Sequence, residues 1–506
     1  MPDSPTSEPE SDFVCDCKEW MRSACAGEPF YQEWEGKRYC VLHLPGTPKS
    51  LDFSKAFKAK LRAKDFNFRG VWFPDELRLD NEQYLDNVDF SDAFFNSRVF
   101  FTDARFTTRA NFNAATFAME AYFSRSLFNA KASFYRAKFR GPAYFSAVTF
   151  SEVLFSDATF GASLDFSHAT CLGTVNFSGI TLELWATFLS ATFREGTVFT
   201  NANFNEADFR YTSFQSSVTF KNARFKNFAD FTRSQFMREV DFSGAIFRDD
   251  AHFKSVLFGD RVIFAGHEQS PIFMNSSALD LQFARIERPD RVSFHTIALH
   301  PHWFINVDPR RFDFINVEWN NAGYAKRELK LLKTRKITSS HRLLAIACRH
   351  LAVNAEETHR YEEASKLRFM AMDARRWEQW WGRFAIWRLS WWYRLASGYG
   401  ERIIKAFVVL LSIWFLAGLI YTRVGFARWE PKLTTEADAV VARRDEVGAP
   451  LRFKRALTYS LGVMTLQKPE PRPATTAAQT VVLLETVLGP VQAALLALAI
   501  RRKFMR

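Results

Sequence analysis

Along the middle of the chain, phenylalanine recurs at alternating steps of five and six residues. Phe90, Phe95, Phe101, Phe106, Phe112, Phe117, Phe123, Phe128, Phe134, Phe139 and Phe145 carry this rhythm, and the series runs on to Phe264. Neither the 3.6-residue period of a helix nor the two-residue alternation of a lone strand produces such spacing, so it marks an internal repeat. A small apolar residue stands two positions before most of these phenylalanines: Ala104, Ala110, Ala115, Ala121, Ala132, Val148, Ala202 and Ala207 among others. The residue between them is usually polar, as at Arg105, Asn111, Thr116, Asp208 and Asp230. One bulky and one small side chain pointing inward, with a polar one outward, describe a short extended face. Ser, Asn, Asp, Gly and Thr in the remaining positions supply corners. Of the 33 central positions between 90 and 264, only Cys171 and Leu182 are not Phe.

Outside the repeat the pattern changes several times. Residues 1–12 are polar and acidic and read as a disordered tail; residues 13–50 form a small Cys/His segment. The repeat spans about 53–319, with a regular core at 90–264 and irregular ends that are candidate caps. Residues 321–395 switch to helical chemistry, with aliphatic residues three or four apart. Residues 403–424 and 479–500 are apolar stretches of about the length a bilayer requires. They are separated by a loop at 426–478, which contains a candidate re-entrant helix at 452–466, and are followed by a basic tail at 501–506.

The strings ANF at 202–204 and ADF at 207–209 fit the motif A-(D/N)-(L/F)-x-x, and the repeat resembles that of bacterial membrane-attached pentapeptide-repeat proteins. The resemblance implies a mainly β N-terminal half, a right-handed quadrilateral β-helix with four faces per coil. An α-helical linker and two transmembrane helices follow it. The recurring sixth residue departs from the five-residue motif; it marks a Phe-rich variant and predicts an extra corner residue. At four positions per coil the regular core makes about eight coils and a rod of roughly 40 Å. The linker resembles the segment that often follows such repeats, through Tyr361, Ala364 and Leu367, then Tyr393, Arg394, Leu395, Ser397, Gly398, Tyr399, Gly400 and Glu401. Its Trp377, Trp380, Trp381, Trp387, Trp391 and Trp392, interleaved with Arg, suit a headgroup layer.

Ala456, Leu457, Ser460 and Thr465 resemble the pore helix of two-transmembrane potassium-channel modules, with Gly489 in the place of an inner-helix hinge. No GYG follows Thr465, which argues against potassium selectivity. Glu485 and Gln492 lie inside the second span, where a polar side chain marks a pore or a helix contact. Ser460, Thr465, Glu485, Gly489 and Gln492 are therefore the candidate residues of the membrane module.

Charge sharpens this picture. The net charge of +12 is uneven: 18 basic against 16 acidic residues at 90–266 leave +2, while 17 against 9 at 318–402 leave +8. A basic segment leading into a span points to a lipid surface, and a near-neutral repeat argues against a nucleic-acid partner or a nucleic-acid mimic. Arg394, Arg402 and Lys405 before the first span, and Arg501, Arg502, Lys503 and Arg506 after the second, favour the cytoplasmic side. Residues 1–12 lack the basic start and apolar core of a secretory signal. The expectation is a multi-pass protein of the bacterial inner membrane, with the repeat and both termini cytoplasmic.

Cys15, Cys17, Cys25, Cys40 and His43 are spaced C-x-C-x7-C-x14-C-x2-H. Clustered Cys and His in a reduced compartment suit structural zinc, with unligated buried thiols or a redox site as the other readings. Phosphate-binding loops, paired catalytic carboxylates and nucleophile elbows are missing from the sequence, so an enzyme is not expected. The reading is a non-enzymatic membrane-anchored scaffold with a cytosolic protein partner. The alternative is an oligomeric, channel-like protein that uses the repeat as its regulatory domain.

Overall fold

The computed structural model describes residues 13–25, 27–46, 49–267, 271–274, 277–377, 389–426 and 451–504. The acidic tail at 1–12, Trp380, Trp381, Trp387 and the loop at 427–450 lie outside them. The chain forms two compact units, 1–320 and 321–506.

The first unit is a β-solenoid of about 11 turns. Strands of mostly two residues stack in parallel on four faces. The first face holds nine strands, from Trp72–Phe73 to Ile246–Phe247, and the second holds ten, from Leu77–Arg78 to Leu279–Asp280. The third and fourth faces join into one 19-stranded sheet, because Leu127–Ser133 and Thr149–Leu154 run through the corner between them. The coil repeat is 22 residues, as in Phe95 opposite Phe117. It shortens to 21 where the step of six is dropped, as in Phe139 opposite Phe160 and Phe193 opposite Phe214.

Inside, the phenylalanines form four columns of stacked rings. Phe112, Phe134, Phe155 and Phe177 follow one another at centroid distances of 4.8, 4.8 and 5.1 Å, all fully buried. Rings from adjacent columns meet edge-on, as Phe123 does with Phe112 and Phe134 at 5.5 Å. Where Cys171 replaces a ring, Phe166 leans into the gap. It lies near-parallel to Phe150 at 6.0 Å and to Phe193 at 6.2 Å, and is tilted by 43° from its own column neighbour Phe145.

The corners explain the polar letters of the motif. Asp165, Asn176, Asp208, Asp230 and Asp241 each accept the backbone N–H two residues on, at 2.8–3.0 Å. Each such residue fixes a four-residue turn whose third position is left-handed. In the first regular turn, Ala93 N–H donates to Phe90 O (3.1 Å) and Asp92 has φ 56°. These left-handed residues recur about every 11 positions: Asp103, Ala114, Arg125, Arg136, Ala147 and on to Ser255. They sit in five-residue steps, and most of the six-residue steps turn through an open bend.

One expectation requires correction. The repeat does not start at 53. Phe53 and Phe57 are four apart on a Lys- and Ala-rich segment, and residues Ser50–Arg62 form helix α1. Helix α1 caps the solenoid: Phe53 and Phe57 meet Phe73 at 5.5 and 5.7 Å, and Phe57 meets Phe68 at 5.3 Å. The regular core at 90–264 makes about eight coils, and the irregular ends are coiled as well, which brings the solenoid to about 11 turns. At the far end the long strands Val292–Leu299 and Asp313–Trp319 pair in parallel. Phe304 and Trp319 pack around Phe314 there, at 5.6 and 5.3 Å.

The second unit is helical: α2 (Ala325–Thr334), α3 (Ser340–Glu357), α4 (Tyr361–Trp377), α5 (Leu389–Ser397), α6 (Ile403–Tyr421), α7 (Phe453–Met464) and α8 (Thr476–Phe504). Helices α3 and α4 pack through Leu344, Cys348 and Leu351 on one and Ala364, Leu367, Met370 and Ala374 on the other, all buried. Helices α6 and α8 are long and apolar enough to cross a membrane. Phe407, Leu411, Phe415, Leu416, Leu483, Leu484 and Val487 point outward from them, as a lipid-facing surface requires.

Candidate functional site

Two sets of polar side chains converge, one in each unit. In the first unit a 3-10 turn (Glu19–Cys25) and the hairpin of β1 (Phe30–Trp34) and β2 (Lys37–Cys40) gather the cysteines. The donor atoms of Cys15, Cys17, Cys25 and His43 all lie within 4.8 Å of one another. Cys17 Sγ is 4.0 Å from Cys25 Sγ, and His43 Nδ1 is 3.4 Å from Cys25 Sγ and 3.2 Å from Cys40 Sγ. These separations match the spacing between ligands of a tetrahedral zinc with bonds of roughly 2.0–2.3 Å. His43 Nε2 lies 3.0 Å from the carbonyl of Arg69, which can only accept. Nε2 therefore carries a proton, which leaves Nδ1, the nitrogen facing the sulfurs, as the one available to a metal. The donor set fits a soft divalent metal.

Sequence reasoning missed Lys49, which lies in a Pro- and Gly-containing stretch at the end of the Cys/His segment. The structure buries it to 1% exposure, with Nζ donating to the carbonyls of Val41 (2.8 Å) and Leu42 (3.2 Å). Burial pushes its pKa down to about 7, against the pull of Cys40 and Cys15.

The remaining cysteines are different. Cys171 fills a position in a ring column and Cys348 lies within the α3–α4 packing; both are fully buried, and burial pushes each thiol above its ordinary range.

In the second unit the polar site is built by α6, α7 and α8. Glu485 on α8 is 2% exposed. Its Oε2 accepts the Tyr421 hydroxyl of α6 at 2.5 Å, and its Oε1 accepts Ser460 Oγ of α7. Ser460 Oγ also lies 3.1 Å from the carbonyl of Trp414, whose indole N–H donates to Leu457 O at 3.0 Å. One carboxylate thus ties the short helix to both spans. Gly489 allows α7 to approach α8, since a Cβ there would lie 3.0 Å from Met464 Cγ. Gly418 does the same on α6, where a Cβ would lie 2.6 Å from Leu457 Cδ2. Thr465, just past the end of α7, bonds back to Leu461 O (3.0 Å) and does not join the cluster.

Gln492 works at the base of the spans. Its Nε2 donates to Ala396 O and Ala406 O, both at 2.8 Å, pinning the junction between α5 and α6. Ser397 Oγ accepts Gly400 N–H (3.0 Å) in that junction, and Lys405 Nζ donates to Arg394 O (2.8 Å). Arg394 reaches Asp373 of α4 at 3.0 Å. Tyr421 was not singled out from sequence, because a tyrosine closing an apolar stretch reads as an interfacial anchor.

Compared with known families, the chain matches the profile described as Pentapeptide repeats (9 copies) at residues 123–170, 134–181 and 209–257. Comparisons with curated proteins and with solved structures gave no match.

Proposed function

We propose that the pentapeptide-repeat domain of this chain is the display surface of a non-enzymatic, membrane-anchored scaffold. The observation that carries this reading is the fate of Glu485, the one ionisable residue of the second span before Arg501. Both of its oxygens are engaged within a single copy, by Tyr421 and Ser460, so it serves helix packing within one copy of the chain. The solenoid supports the same view. Its interior is filled by rings, and the outward Asp and Asn on alternate faces are committed to corners. Recognition of a cytosolic protein then falls to the outward columns of the other two faces. These are Phe94, Thr116, Lys138 and Thr159 on the first, and Leu127, Thr149, Thr170 and Thr192 on the third.

The basic flanks of the spans support a reading in which the solenoid lies on the cytoplasmic side of a bacterial inner membrane, and the donor set of the Cys–His centre supports a structural zinc. Alkaline carbonate extraction tests the anchoring. Full-length protein stays with the membrane, whereas a chain ending before 403 is released; release of both forms refutes the anchor.

A channel-like oligomer is the second reading. It is favoured by α7 lying between the two spans and packing on both. Native mass measurement in lipid nanodiscs separates the readings, since the scaffold works as a single copy and a pore lined by these spans requires several.

A further inference from the structure

We infer that the metal of the Cys–His centre is the latch that holds the N-terminal cap on the first coil, with Lys49 as the buried counter-charge of the site. This rests on the structural-zinc reading and adds a role and a residue to it.

The charge of the metal-bound site calls for a buried cation. When zinc enters the Cys15, Cys17, Cys25 and His43 set, three Zn–S bonds and one Zn–N bond form, and three thiol protons leave to water. No electron moves, and the site carries a net charge of −1. A buried ammonium group needs an opposite charge nearby. No carboxylate pairs with Lys49 among the described residues, and its Nζ rests on the two carbonyls between Cys40 and His43. Three thiolates, one neutral imidazole, one divalent metal and one ammonium group sum to zero. Four thiolates would leave an excess negative charge, so the balance favours His43 as the fourth ligand.

The edge of the solenoid points the same way. On the first face, each strand sends N–H groups back to the preceding coil: Phe94 to Val71 O (2.9 Å), Thr116 to Ala93 O (2.8 Å) and Asn96 to Phe73 O (3.0 Å). The first strand has no preceding coil. Its Trp72 N–H donates to Leu42 O (2.9 Å), and the residue one coil before Asn96 is Pro74, which has no N–H. The cap therefore closes an edge that would otherwise be open to another chain. Leu42 lies between Cys40 and His43, so the donor that closes the edge and the ammonium of Lys49 share its carbonyl. The same turn holds Arg69 O through His43 Nε2, and Arg69 Nη1 reaches Trp20 O (3.1 Å) beside the first cysteines.

The test uses full-length protein in nanodiscs, loaded with zinc or stripped by a chelator. Metal content is measured by mass spectrometry, together with amide hydrogen exchange over residues 66–78 and, as an internal control, 112–139. About one zinc per chain is expected, and its removal should speed exchange over 66–78 at least tenfold while leaving 112–139 unchanged. Lys49→Met should weaken zinc at least tenfold in competition with a chromogenic chelator, and Lys49→Arg should recover most of that loss. Lys60→Met is the comparison, because that buried lysine is already paired with Asp65. Absence of bound zinc would overturn the structural-zinc reading and the latch with it. Bound zinc whose removal leaves 66–78 protected overturns the latch alone. Unchanged affinity in Lys49→Met overturns the counter-charge, and if that variant fails to fold, the wild-type exchange experiment still decides the latch.

Discussion

Replacing Phe123 by alanine probes the ring columns at their most regular point. Phe123 stacks on Phe101 (5.1 Å) and Phe145 (4.8 Å) and meets Phe112 and Phe134 edge-on at 5.5 Å. It is fully buried, and its neighbours are fixed in their own columns, so the site cannot collapse around the loss. Truncating a buried Phe costs about 3–5 kcal/mol, transfer and cavity together. A repeat rod couples only adjacent coils, so the damage stays local. Amide exchange over residues 101–145 should accelerate by roughly two to three and a half orders of magnitude, with residues 231–253 unaffected. Phe100→Ala is the control. That ring stacks on Tyr122 at 4.6 Å but faces outward, and its loss should cost less than about 1 kcal/mol. Acceleration below tenfold, or spread evenly along the solenoid, would refute the account of a one-dimensional aromatic core.

Other outcomes follow from single sites. Ala114 and Ala147 hold left-handed corners (φ 54° each), which cost an L-residue about 1–2 kcal/mol; Ala→Gly at either should raise solenoid stability by roughly 0.5–1 kcal/mol in denaturant titrations. Cys171→Phe should destabilise by about 1–3 kcal/mol, because Phe166 already fills that gap. A thiol reagent on native protein at pH 8 should leave Cys171 and Cys348 unmodified and label both after unfolding, as buried thiols pushed above their usual range resist ionisation. Gly489→Leu should separate α7 from α8, read as a lower melting temperature in detergent, while Thr465→Val leaves it unchanged.

Most of the solenoid was legible because its period is carried by side-chain size. Phe and Ala columns name the inward positions directly, and Asp or Asn before a Phe names the corner. The ends were harder. Phe53 and Phe57 look like two more rungs until their four-residue spacing is weighed as a helix signal. The kind of corner was also hidden, since left-handed positions are filled by Asp, Ala, Arg, His and Tyr more often than by Gly or Asn. Among the candidate site residues, the cysteines and His43 declared themselves by spacing, and Glu485 and Gln492 by polarity in an apolar run. Lys49 and Tyr421 did not, because burial of a lysine after a proline, or of a tyrosine at the end of a span, depends on tertiary contacts absent from local sequence.

The central claim is that the two spans anchor the solenoid and that Glu485 is a packing residue. Planar-bilayer recording of purified full-length protein, wild type and Glu485→Gln, tests it most directly. The account predicts no single-channel current from either form, with Glu485→Gln lowering only the melting temperature. Reproducible current from the wild type, altered in conductance by Glu485→Gln, would contradict it.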